Sequence, residues 1–169
     1  METEDFPSTL RLQFERIRGF LELRNFDEAW RELEDVPPNA RCDRGYRWMR
    51  INTLIGLGRP LDAVRAVDTI CREYPEDHRN WLFLADLVGE TGSPMLAAEV
   101  LTEALAHNDH PEVRYELAAR LCQSGLTEEA EDELSAILAI SPEHGTLAQD
   151  DPRFEAMSYF FIDDDGENA

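Results

Sequence analysis

Four short stretches of the sequence, LRNFDEAW, LGRPLDAV, TGSPMLAA and SGLTEEAE, each place a turn just before a small residue. The alanines that follow the turns are Ala29, Ala63, Ala97 and Ala130, spaced 34, 34 and 33 residues apart. A fixed period in this range marks a chain of stacked units, each of which buries its apolar face only against its neighbours. That periodicity constrains the fold more tightly than any other feature of the chain.

Each unit reads as a helical hairpin. Before each turn lies an amphipathic run, such as Leu84, Leu87 and Val88, or Leu117, Ala118 and Leu121. After it comes a second run: Val64, Val67 and Ile70; Val100, Leu101 and Ala104; Leu134, Ile137 and Leu138. Gly58, Gly92 and Gly125 stand where the first helix must stop, because glycine accepts the left-handed conformation cheaply. Pro60 and Pro94 follow two residues later, where proline suits a first helical turn. Thr127 with the residues up to Ala130 predicts a capped helix start. The small alanine lets the second helix approach the first.

On these residues the chain resembles the tetratricopeptide repeat (TPR) family. Counting His78 as the first position of a unit, Trp81, Leu84, Ala85, Gly92, Ala97, Leu101 and Ala104 fall where the family motif has them. Leu117, Ala118, Gly125, Ala130, Leu134 and Pro142 do so in the next unit, and Leu54, Gly58, Ala63, Val67 and Pro75 in the one before. The first unit is degenerate. It keeps Phe20, Phe26, Ala29 and Leu33, Asn25 is expected to replace the turn glycine, and Pro37-Pro38 arrive early. Arg16 and Arg50 stand where the family has leucine, which leaves the register of the first two units open by a residue. The resemblance implies an all-α fold, a right-handed superhelix of about four hairpins near 10–43, 44–77, 78–110 and 111–144, within a solenoid spanning 8–142. Residues 145–161 are expected to cap it. Residues 1–7 are expected to be flexible, and the acidic 162–169 a disordered tail. The TLAQDDPRFEAM block resembles the terminal segment that follows the last repeat in bacterial members. That resemblance implies packing roles for Leu147, Phe154 and Met157, and a bacterial source.

Charge narrows the partners. Sixteen arginines, and no lysine, face 36 acidic residues, for a net charge of −20. Such a chain repels phosphate backbones and anionic membranes and attracts basic protein surfaces. Cys42, Cys71 and Cys122 are odd in number and form no CxxC pair, which points to reduced thiols in the cytoplasm. The first residues show no secretory signal, and no apolar run is long enough to span a membrane.

Chemistry is sparse. HExxH, GxSxG and P-loop patterns are absent, and Gly56-Leu57-Gly58 lacks the third glycine and the preceding strand of a dinucleotide fingerprint. His107 and His110 flank Asp109 but lack an obvious third ligand, so no metal is expected there. His78 and His144 are expected to face solvent. No catalytic residue, metal or cofactor is assigned, and the chain is not expected to be an enzyme.

If the family register holds, the first helix of each unit lines a concave groove. Its fifth position gives Phe14, Trp48, Leu82 and Tyr115, an apolar ladder, and the ninth gives Arg18, Asn52 and Asp86. Arg11, Arg79 and Glu112 come from the second position, Ile55 and Cys122 from the twelfth. Aromatic and arginine side chains of this kind dominate binding energies. A register shift of one would instead make Trp48 and Tyr115 core residues, and both readings stand at this point. The functional expectation is a non-catalytic adaptor or scaffold that binds a protein or peptide segment, with basic regions favoured. The alternatives are a secretion-type chaperone for an unfolded client, or a structural repeat that associates with itself as a homo-oligomer.

Overall fold

The period carries directly into backbone geometry. In the computed structural model, which describes residues 8–161, left-handed φ angles fall at Arg24 (55°), Gly58 (68°), Gly92 (106°) and Gly125 (80°). These positions are again one repeat apart. Each ends the first helix of a pair: α1 (Ser8–Glu22) before α2 (Phe26–Glu34), α3 (Arg44–Gly56) before α4 (Pro60–Glu73), α5 (His78–Glu90) before α6 (Pro94–His107), and α7 (Pro111–Gln123) before α8 (Thr127–Leu138). Then come α9 (Glu143–Asp150) and a 3-10 segment, Pro152–Phe161, kinked at Met157. No strand occurs among the described residues, and none of their helices is long and apolar enough to cross a membrane. The expectations for residues 1–7 and 162–169 lie outside the described residues.

The first turn corrects an expectation. Arg24, not Asn25, takes the glycine's place. Asn25 is the N-cap of α2, its side chain accepting from the Glu28 N–H. The Asn25 N–H donates to the Phe20 carbonyl at 2.8 Å, the six-residue closure also made by Arg59 to Leu54 (2.9 Å) and Leu126 to Leu121 (3.0 Å). Position in the repeat decides the conformation, and an arginine accepts it at a cost of about 1–2 kcal/mol. Thr127 likewise does not cap α8. It is the first helical residue, and Leu126 occupies the cap position without a side-chain bond.

The described residues divide into two compact units, between Val67 and Asp68. In the first, Leu10, Phe14 and Ile17 share one face of α1 and pack with Ala29, Leu33 and Val36, and with Tyr46 and Met49 of α3. Arg16 and Arg50 are at the leucine position after all. The next residues, Ile17 and Ile51, are fully buried where the later units bury Ala85 and Ala118. The bulky apolar side chain has moved one place, and the arginines leave the core. Arg16 pairs with Glu32 at 3.0 Å, and Arg50 and Arg59 lie over the Trp30 ring at 5.9 and 5.1 Å. Pro37-Pro38 lead into a short 3-10 turn, Pro38–Ala40. Arg41 then folds back, donating to the carbonyls of Val36 (2.8 Å) and Glu34 (2.7 Å) at the end of α2. Gly56 is needed for space, since a Cβ there would stand 2.3 Å from the Phe26 ring.

In the second unit α5 packs on α6, α6 on α7 and α7 on α8. Ala97 and Ala130 have no exposed surface, so these helices meet backbone-close, as do Ala29 and Ala63 at the same step of the first unit. Trp81 is buried and satisfies its indole N–H on the Pro75 carbonyl at 3.0 Å. The last hairpin is closed by the segment that follows it. Phe154, Met157 and Phe161, with Ala148 of α9, cover Ala118, Ala119, Cys122, Leu134 and Ile137. Leu147, expected to pack, is 59% exposed, because α9 turns only Ala148 inward.

Candidate functional site

The second unit carries a cleft of about 560 Å³ lined by Leu82 of α5, by Glu112, Tyr115 and Glu116 of α7, by His144 and Leu147 of α9, and by Asp151. The helices that contribute are the first helix of each hairpin, followed by α9. Leu82, Tyr115 and Leu147 supply an apolar floor and three carboxylates surround it.

Tyr115 is fixed from several sides. Its ring meets Phe154 edge-on with centroids 5.5 Å apart and lies 5.8 Å from the His144 ring. Its hydroxyl donates to Asp151 at 3.0 Å. Burial first, and then this bond, push the phenol up to about 12. Arg153 organises the acidic side. It donates to both oxygens of Glu116 (2.8 and 2.7 Å) and to Asp151 (3.0 and 2.7 Å). Burial works against ionisation of Asp151. The Arg153 side chain and backbone N–H, and the Tyr115 hydroxyl, together outweigh it and hold the carboxyl below its usual range. Arg120 continues the network. It donates to Asp86 at 2.7 Å and lies 3.7 Å from Glu116, a charge pair too long for a hydrogen bond. Gly89 leaves it room, since a Cβ there would stand 3.0 Å from the guanidinium. Asp86, Glu116 and Asp151 thus share two guanidiniums, and Glu112 adds a largely exposed fourth carboxylate.

Of the residues singled out in the sequence, the cleft takes in Leu82 and Tyr115, with Asp86 tied to its edge through Arg120. Arg79 is exposed beside Asp77, 3.8 Å away. Two residues are corrected to core. Cys122 is 5% exposed because the 3-10 segment covers it, and Phe14 is 8% exposed because it packs with α2 and α3 residues. In the first unit, Arg11 and Arg18 are exposed on α1, with Arg11 4.0 Å from Glu15. Trp48, Asn52 and Ile55 share one face of α3, Trp48 half-buried and the other two exposed. The sequence reading placed Glu112 at a groove position but missed Glu116, His144, Leu147, Asp151 and Arg153 as residues of the cleft. A signal existed, for Asp86 and Arg120 are 34 residues apart, and residues one period apart become neighbours.

The histidines also differ from expectation. His78 is not solvent-facing. Its ring stacks on His110 at 3.6 Å, nearly parallel, and its Nε2 lies 3.3 Å from a Glu112 oxygen. His107 stacks instead on Trp81, with ring centroids 5.6 Å apart. As for nucleophiles, burial pushes the Cys71 thiol up to about 12 and raises Cys122 as well, so neither is a ready thiolate.

No protein-family model matches the sequence, and no curated protein is measurably similar to it. Solved structures are. One is the crystal structure of MamA, at 17% identity over 84% of both chains, with a TM-score of 0.61. A second MamA structure, MSR-1, is similar at 18% identity over 86% of this chain and 85% of that one, TM-score 0.55. Another is a Podosopora anserina protein described as a kinesin light chain with nearly identical TPR-like repeats. It is 18% identical over 92% and 90% of the two chains, with a TM-score of 0.57. These likenesses establish an all-α fold of TPR-like helical repeats.

Proposed function

We propose that the chain is a non-catalytic protein-interaction module, and that the cleft of α5, α7 and α9 docks a segment of a partner that carries a basic side chain next to an apolar one. The cleft itself carries the reading: an apolar floor of Leu82, Tyr115 and Leu147 edged by Glu112, Glu116 and Asp151. The apolar side chains supply area, and the carboxylates select charge and speed encounter. A net charge of −20 supports a basic partner. The TPR-like fold supports a scaffold role, and three unpaired cysteines suit the reducing cytoplasm.

The test is affinity capture from native lysate with the wild-type chain and with Leu82→Glu/Leu147→Glu. Both side chains are partly or largely exposed, so the variant keeps its helicity. Loss of a specific basic partner from the variant, with salt-sensitive capture by the wild type, supports the reading. Equal recovery by both proteins removes the cleft from it. Self-association is the second reading, favoured by Leu12 and Leu23, which are exposed on and just beyond α1. A mass that rises with concentration supports it.

A further inference from the structure

We propose that His78, His110 and Glu112 form a binding site for a divalent transition-metal ion, with Zn(II) as the test case. The three side chains converge from α5 and from the start of α7, and one ligand atom from each lies within 4.8 Å of the others. Two imidazoles and a carboxylate are a familiar three-ligand set for zinc, which leaves a fourth position for water or a group from elsewhere. Nitrogen ligands favour Zn(II), Ni(II), Co(II) or Cu(II) over Ca(II) and Mg(II).

The distances fit the chemistry. Two ligand atoms on one tetrahedral ion, with bonds of about 2.0–2.2 Å, stand about 3.3–3.6 Å apart. His78 Nε2 and Glu112 Oε2 are already 3.3 Å apart. The remaining adjustment is at His110. In the parallel stack its ring lone pair does not converge with that of His78, so the ring must rotate to bring a nitrogen in. His110 Nδ1 now accepts the Glu112 N–H as the cap of α7. Metal at Nδ1 replaces that donor, and metal at Nε2 moves the ring proton to Nδ1. Either way the bond given up is long, at 3.3 Å.

Charges of both signs act on an ion at this site. The site sits at the starts of α5 and α7, whose dipoles each place roughly half a positive charge at the N-terminus. Glu112 and the net charge of −20 oppose this. Arg114 is engaged by Asp109 and Glu133, at 2.6 Å each, and Arg79 leans to Asp77. A bound ion would tie two consecutive hairpins of the second unit together. It would also occupy Glu112, which lines the cleft.

The experiment is calorimetric titration of the full chain with ZnCl2, in a Cys42→Ser background that removes the exposed thiol as a rival ligand. One saturable site per chain is expected. Loss of a ligand should cost more than the roughly 10–100-fold that loss of a ligand's own hydrogen-bond partner costs. His78→Ala should therefore abolish measurable binding, as should His110→Asn, which keeps an N-cap, while His107→Ala binds like the parent. Absence of a saturable site overturns the proposal, and so does binding that survives His78→Ala or fails in His107→Ala. If a variant does not fold, Co(II) absorption of the Cys42→Ser parent decides. Intense visible bands of four-coordinate cobalt without a thiolate charge-transfer band support the site. A weak octahedral spectrum overturns it.

Discussion

The two compact units repeat one backbone plan with different residues. At the left-handed turns the first unit holds Arg24 and Gly58, and the second holds Gly92 and Gly125. At the core step of the first helix, one buries Ile17 and Ile51 after an arginine, and the other buries Leu84-Ala85 and Leu117-Ala118. The small alanine before the second helix is the same in both. What the period conserves is therefore a set of positions: a left-handed residue, a buried slot and a close helix approach. Residue type follows where the position leaves no choice, as at the alanines, and drifts where a cost of about 1–2 kcal/mol is tolerable.

The sharpest way to break the comparison is to charge the position both units share. Ala29→Glu and Ala97→Glu each bury a carboxylate with no exposed surface, and each should cost more than about 4 kcal/mol. Urea denaturation followed by circular dichroism reads this; tolerance of one but not the other would mean that the slots are not equivalent. Phe154→Ala should cost about 3–5 kcal/mol, all in the second unit, because only that unit is closed by the 3-10 segment. Gly56→Ala should cost about 1–3 kcal/mol in the first unit, through the Phe26 ring. Gly89 has only the Arg120 guanidinium as its close neighbour, so Gly89→Ala should be milder. Arg24→Gly should stabilise by about 1 kcal/mol and Gly92→Arg destabilise by a similar amount, an exchange that tests position against residue type directly.

The smallest effect concerns acid. Asp151 has a depressed folded-state pKa, so its contribution is fully present above the unfolded value, about 4, and is lost as pH falls through the folded one. The urea midpoint of the wild type should therefore fall more steeply below about pH 4 than that of Asp151→Asn. Parallel curves would show that Arg153 and Tyr115 do not stabilise the charge.

Much of the fold was legible because a period is visible without knowing any contact. Ala29, Ala63, Ala97 and Ala130 marked the helix approach, and Gly58, Gly92 and Gly125 the turns. Arg24 was hidden because its residue type does not signal a turn, and only its distance of 34 residues from Gly58 marks it. The cleft was half legible. Leu82 and Tyr115 follow from register, but Leu147 and Asp151 belong to a segment outside the period. That segment takes the place a further repeat would occupy: Tyr115 reaches Asp151 across 36 residues and Glu116 reaches Arg153 across 37. Cys122 failed as a groove residue because it meets a segment that the repeat pattern does not describe, and Phe14 because it packs with residues of α2 and α3. His78 and Glu112 lie one period apart, so their meeting was implicit in the spacing.

The burial of two of the three cysteines has a practical side. Cys71 and Cys122 are enclosed, and only Cys42, in the short connection before α3, is open to solvent. Together with the absence of lysine, this gives the natural chain one addressable side chain for a fluorophore or spin label, with no engineering needed. A maleimide probe there would watch the first unit alone while the second is titrated, mutated or occupied.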